Sequence, residues 1–283
     1  MKPPTNIPRA VSVFRMLHES GCFVIPNPWD RGTAVFLHHL GYPALATTSA
    51  GFAFSMGLPD SMTALSVDTV LTHTRDIVES TPLPVNADFQ AGYADDLETL
   101  AANVDRCVKT GVAGLSIEDS TGDESEPLFE RSVAVERIRA TRQAIDETGI
   151  PVVLTARCEA WLVGYPDAKN VVLDRLAAFA EAGADCLYAP GASDPETIAA
   201  IVKVADPRPV NVLMAAPNPA LSVPVLADLG VRRISVGSAL ARASWGAMTR
   251  AARGILETQT FDALDGSAPF DELNNIFDGR SQD

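Results

Sequence analysis

Seven short, largely apolar runs, each entered through a glycine or proline turn, constrain this chain most: PALATTS (43–49), PVNAD (84–88), AGLSIED (113–119), PVVLTAR (151–157), DCLYAP (185–190), PVNVLM (209–214) and RRISVG (232–237). Runs of this kind fit strands covered on both faces of a parallel sheet, and helix-period stretches lie between them. An eighth strand is expected at 22–26, ahead of the series. Eight strands alternating with helices over 283 residues predict one α/β domain folded as a (β/α)8 TIM barrel. Such barrels gather their chemistry at the carboxyl ends of the strands, so Asp88, Glu118, Asp119 and Arg157 become neighbours by topology alone.

The apolar spacing of Val11, Phe14 and Leu17 predicts a leading helix over 8–20, and Asp30 caps a second that runs to Leu40. Further helices are expected over 68–80, 95–110, 133–148, 168–182, 195–204, 223–229 and 238–258. The phrases LGYPA, TGVAG, TGIPV, AGADC and LGVRR place a glycine after a last helical turn and a new strand behind it. Two connections exceed what a turn needs, 51–67 and the acidic 120–131, and read as lids or substrate walls. Within the single domain 1–283, the barrel is expected over 1–258 and a polar tail over 259–283. Phe261, Phe270 and Phe277 would anchor that tail on its own barrel or on a neighbouring subunit.

A net charge of −14 repels nucleic acid and anionic membrane surfaces, while leaving a small anionic substrate open to local charge. The four cysteines have no CxxC spacing, and neither a signal peptide nor a membrane span is visible, which together predict a cytoplasmic protein. His18, His38, His39 and His73 all fall in expected helices as surface residues, which removes a histidine triad or a histidine-rich zinc site.

Oxygen chemistry remains at the strand ends. Carboxylates as close as Asp88 and Glu118 need a hard cation, Mg²⁺ or Mn²⁺, or a shared proton; the alternative is an ion pair with Arg157 on the barrel rim. Arg157 can grip a carboxylate or phosphoryl oxygen in bidentate fashion, and Asn211 could orient the same molecule. Phe52, Phe54, Tyr93, Trp161 and Tyr188 are either pocket walls or core. A separate possibility is a phosphate site at SVGSA (235–239), where Gly237 and Ser238 open the last helix.

Five blocks in order, ATTSAGFAFSMGLPD (46–60), VNADFQAGYADD (85–96), GVAGLSIEDS (111–120), LTARCEAW (154–161) and AGADCLYAPG (182–191), resemble the isocitrate lyase and phosphoenolpyruvate mutase superfamily over nearly the whole barrel. The resemblance implies a last helix exchanged between subunits of a homodimer or homotetramer. It implies Mg²⁺ (or Mn²⁺) held directly by Asp88, with Asp60, Gln90 and Glu118 acting through water. A 2-oxo acid would lie on the backbone of Thr48, Ser49, Ala50 and Gly51, with Arg157 on its oxygens, and with Arg157, Glu118 and Asp60 as the catalytic set. The shared chemistry is formation or capture of a pyruvate enolate.

Three departures narrow that expectation. Gln90 stands where the superfamily has a second acid, and the 120–131 loop has neither the Lys-Lys-Cys-Gly-His signature of the lyases nor the Lys and Asn of the phosphonomutases. Pro190 replaces a phosphonomutase histidine. What survives is decarboxylation or other carbon–carbon cleavage of a small 2-oxo or 2-hydroxy dicarboxylic acid. The alternatives are a catalytically altered member that only binds a small carboxylate or phosphonate, and a phosphonopyruvate-type mutase or hydrolase.

Overall fold

The computed structural model describes residues 7–279, so the first six residues and the last four of the expected tail lie outside the described residues. In chain order the elements are α1 (Ile7–Glu19), β1 (Phe23–Ile25), α2 (Arg31–His39), β2 (Leu45–Ala46), α3 (Ser49–Ser55), α4 (Val67–Ser80), β3 (Val85–Asp88), α5 (Leu97–Val108), β4 (Gly114–Glu118) and α6 (Arg131–Glu147). They continue as β5 (Val153–Arg157), α7 (Ala168–Glu181), β6 (Cys186–Tyr188), α8 (Pro195–Ala205), β7 (Val210–Leu213), α9 (Val223–Asp228), β8 (Arg233–Ser235), α10 (Ala239–Thr258) and α11 (Phe270–Phe277). The eight strands pair in parallel, β1 to β8 on one side and β2 to β3 on the other, with every intermediate neighbour in sequence order. Ala46 N–H donates to Pro26 O at 3.0 Å and draws the remaining seam together, giving the (β/α)8 TIM barrel expected from the sequence.

Local chemistry fixes where elements begin and end. Asp30 accepts from Thr33 N at 2.7 Å while Thr33 Oγ1 accepts from Asp30 N at 3.2 Å, a reciprocal capping box on α2. Gly183 and Gly230, at φ +104° and +92°, turn the chain out of α7 and α9 in a region that side chains rarely tolerate.

Outward-facing strand residues such as Leu115, Ile117, Leu154, Leu187 and Ile234 pack on helical Leu100, Val104, Ile138, Leu176 and Ile198, and this annulus is the hydrophobic core. The alternate, inward-facing positions differ from the uniformly apolar strands anticipated. Asn86, Ser116, Thr155, Asn211, Arg233 and Ser235 are all buried polar residues. Phe14 of α1 plugs the floor beneath Gly114, where a Cβ would lie 2.7 Å from both the Phe14 ring and Asn86 Oδ1.

Several local expectations are corrected. His18 is not a surface residue: it is buried, its Nδ1 lies 2.7 Å from Phe14 O, and burial, reinforced by Arg233, pushes its pKa down to about 3. His73 stacks on Phe52 at 3.6 Å and its Nε2 lies 2.9 Å from Trp29 O. The opening of the 51–67 connection is helical, being most of α3. In the tail, Ile276 rather than Phe261 or Phe270 is buried, and α11 packs on α2. Along α10 only Ala241 is buried, leaving Trp245, Met248 and Leu256 exposed. No helix among the described residues is long and apolar enough to cross a membrane.

Candidate active site

Arg157 sits at the centre of a carboxylate cluster. Parallel register sets Glu118 opposite Arg157 and Asp88 opposite Ser116, so the three strand-end side chains rise into one barrel mouth. Arg157 Nη1 lies 3.3 Å from Asp88 Oδ1 and 3.5 Å from Glu118 Oε2, its Nε donates to Glu159, and its guanidinium stands 5.2 Å from the Tyr188 ring centre. Burial would lower the guanidinium pKa, yet Glu159, Glu118 and Asp88 together hold it well above its ordinary value. The Tyr188 phenol is pushed up to about 12 by burial, against the pull of Arg157.

The carboxylates pay the larger electrostatic penalty. Glu118 is raised well above the glutamate range by burial, with Arg157 opposing and Glu159, Asp88 and Asp119 adding to the rise. Glu159 is raised by burial too, against Arg157. Asp60 lies on the exposed stretch after α3, but desolvation of its carboxyl and then Asp88 raise it, while Arg157 and a Ser49 side-chain bond pull the other way.

Asp88 also reaches α3. Ser49 N–H donates to Asp88 Oδ2 at 3.0 Å, Asp88 N–H donates to Thr47 Oγ1 at 2.8 Å, and Thr48 Oγ1 caps the helix by accepting from Gly51 N at 3.2 Å. Thr48, Ser49, Ala50 and Gly51 therefore form the first turn of a helix that starts against Asp88. Gly51 is required there, because a Cβ would meet Thr48 Cγ2 at 2.6 Å and Trp29 Cβ at 3.2 Å.

Gln90 is buried in the left-handed region at φ +44°, and its carbonyl accepts from Glu118 N at 3.0 Å, which locks the loop after β3 onto β4. Asn103 Nδ2 holds the same loop through Gly92 O and Tyr93 O at 3.0 and 2.9 Å. Burial raises the Tyr93 phenol strongly, with Asp88, Glu118 and Asp60 adding to it. Of the other expected wall residues, Phe52 belongs to the core cluster, Trp161 packs over Gly191, and Phe54 lines a surface hollow with Leu58, Arg242 and Trp245.

Asn211 is placed deeper than expected. Its Nδ2 donates to Ser235 Oγ and its Oδ1 accepts from Arg233 Nε, both at 2.9 Å, and it lines a cavity of about 50 Å³ together with Asp88, Arg157, Tyr188 and Arg233. At the SVGSA turn, Asn27 Oδ1 already accepts from Val236 N at 3.1 Å and Gly237 N at 2.8 Å, so those amides are not free to cradle a phosphate.

Sequence reasoning missed Thr47, Asn27 and Arg233, and gave no role to the buried pair Asp119–Arg175. Arg175 Nη1 donates to Asp119 Oδ2 at 3.0 Å, its Nη2 to Phe129 O at 2.8 Å, and Glu159 N donates to Asp119 Oδ1 at 2.8 Å. This pair ties the base of the 120–131 loop to the residue that grips Arg157. For Arg233 the available signal was period-two polarity along its strand; Thr47, Asn27, Asp119 and Arg175 lie outside the strands and carried no such signal.

A hard divalent cation fits this donor set. Asp60, Asp88 and Glu118 offer only oxygen donors near the mouth, and there are more acidic groups there than Arg157 and Arg175 neutralise. Among the described residues no three His, Cys, Asp or Glu side chains form a ready metal cage, and both Asp88 oxygens are engaged by Arg157 and Ser49.

The phosphoenolpyruvate phosphomutase family model matches residues 14–256. An uncharacterised protein of Mycobacterium tuberculosis is 33% identical over 92% of this chain and 94% of its own. An oxaloacetate decarboxylase of Paraburkholderia xenovorans is 28% identical over 80% of this chain and 74% of its own. A solved structure from Burkholderia cenocepacia J2315, whose description leaves its reaction open between lyase and mutase, is 44% identical with TM-score 0.92, covering 96% of this chain and 97% of that one.

Proposed function

The chain belongs to the phosphoenolpyruvate phosphomutase family within the isocitrate lyase superfamily, and from that membership we propose a divalent-metal-dependent lyase or decarboxylase acting on a small 2-oxo or 2-hydroxy dicarboxylic acid. The observation that carries the proposal is the convergence of Asp88, Glu118 and Arg157 in one barrel mouth, with Arg157 bound to both carboxylates at once.

Asp88, with Asp60, Gln90 and Glu118 around it, would hold Mg²⁺ or Mn²⁺. When bound, the cation supplies Lewis-acid stabilisation of negative charge developing on a keto oxygen. The chain's own residues do the rest. The first turn of α3 would orient the substrate against Asp88, and Arg157, paired with Asp88, adds positive charge beside it. Glu118, whose carboxyl holds its proton more tightly than an exposed glutamate, can keep or return a proton at Oε2. Loss of carbon dioxide from a 2-oxo acid needs no protein base, so the cysteine-free 120–131 loop is no obstacle to decarboxylation. The exposed apolar side of α10 supports a homodimer or homotetramer as the working unit.

Pyruvate release measured from oxaloacetate, 2-methylisocitrate and 2,3-dimethylmalate, each with and without Mg²⁺ or Mn²⁺, tests the proposal. Metal-dependent pyruvate from at least one is the expected result, and none from all three sinks it. The second reading, a member that binds without turnover, draws on Gln90 and that loop; calorimetric binding of oxalate with no turnover of any substrate would favour it.

A further inference from the structure

Two guanidiniums line the cavity beneath the mouth, and only one is neutralised by the protein. Arg157 is met by three carboxylates, Asp88, Glu118 and Glu159. Arg233, only 3% exposed, is held by neutral acceptors: its Nε donates to Asn211 Oδ1 at 2.9 Å and its Nη2 to Thr155 Oγ1 at 3.0 Å. Its Nη1 lies 3.3 Å from His18 Nε2. Because Phe14 O can only accept, the His18 proton sits on Nδ1, which leaves Nε2 as a bare lone pair facing Arg233. Among the described residues no carboxylate pairs with Arg233.

A buried cation without a counter-charge is costly, and barrels of this class normally fill their interior with branched apolar side chains. Two of the five guanidinium N–H groups of Arg233 are left over from the three contacts above. A second sign of incompleteness lies in the same cavity wall, where buried Asn86 Oδ1 has no hydrogen-bond partner.

We infer that Arg233 is the residue that reads the far carboxylate of the substrate, so that the cavity selects four-carbon dicarboxylates over monocarboxylates of equal length. Thr155, to which Arg233 is bonded, precedes Arg157 by two residues on β5, a drop of about 6.6 Å at the rise of a parallel strand. Arg233 therefore lies below Arg157 in the same cavity, so an acid with one carboxylate at the mouth near α3 would direct its other end towards Arg233. Arg157, already bound by three carboxylates, remains at the reacting end. The inference rests on the metal-dependent dicarboxylate reading proposed above and names which group of that substrate goes where.

Calorimetry of the Mg²⁺-loaded protein with malate and with 2-hydroxybutyrate tests it, since the second replaces the far carboxylate by a methyl group. Loss of a charge-assisted hydrogen bond predicts a preference for malate of roughly ten- to hundredfold. In Arg233→Met, checked for folding by circular dichroism, the preference should vanish while 2-hydroxybutyrate binding stays within about threefold of wild type. Should Arg233→Met fail to fold, a crystal structure of the wild type with malate decides, the far carboxylate lying on Arg233 or elsewhere. Equal wild-type affinities, a preference that survives Arg233→Met, or a carboxylate found away from Arg233 each overturn the inference and leave the proposed function standing. Binding of neither acid overturns both.

Discussion

Glu118 combines burial with three neighbouring carboxylates, and only Arg157 opposes them. A carboxyl whose proton affinity is higher folded than unfolded costs no stability below the ordinary value of 4.5, and an increasing amount as pH rises towards its folded-state value. Metal-free protein should therefore lose stability as pH climbs above that range. In Glu118→Gln the cost disappears, so the Tm of the metal-free protein at pH 8 should rise by about 2–4 °C, while pyruvate-forming activity falls by about a hundredfold or more. An unchanged or lower Tm would contradict the electrostatic account of the cluster. Arg157→Lys preserves charge but not the fork that meets Asp88, Glu118 and Glu159 together. It should lower kcat/KM by about a hundredfold, and near-wild-type kinetics would show that bidentate geometry is unimportant.

At the scale of elements, α3 links fold to chemistry, since Thr48 caps it and Ser49 delivers its first amide to Asp88. Thr48→Val keeps the shape and removes the cap, a loss of about 1 kcal/mol. Its expected kinetic signature is a KM raised several-fold with kcat little changed; a fall in kcat alone would place α3 outside substrate positioning. This helix was illegible in the sequence, because SAGFAFS is short, contains a glycine and is rich in strand-prone phenylalanine, so only the cap holds it helical. The barrel strands were legible because Gly and Pro punctuate their starts, and Asp88, Glu118 and Arg157 could be named because they end those strands. Arg233, Asn86 and Thr155 were hidden by reading each run as continuously apolar. Tested at every second position, the same runs separate an inward polar set from an outward apolar one. The depth of Asn211 could not be read at all, since it depends on strand tilt and on Arg233 reaching across from β8.

For the whole molecule, α10 buries a single residue of twenty and presents Trp245 and Met248 to solvent, a face that a second copy of the chain would cover. Light scattering should find a homodimer or homotetramer, and Trp245→Glu should shift it towards monomer; a monomeric wild type at micromolar concentration would remove the oligomer from the proposal. The division between an oily annulus and a hydrophilic lumen has a further consequence. The apolar packing is lodged where strands meet helices, while the polar groups that a ligand would meet lie inside the tube, and the two surfaces share a backbone but few side chains. A substitution in the lumen thus leaves the outer packing untouched, and its cost is confined to the polar contacts inside the tube, such as those that join Arg233 to Asn211 and Thr155.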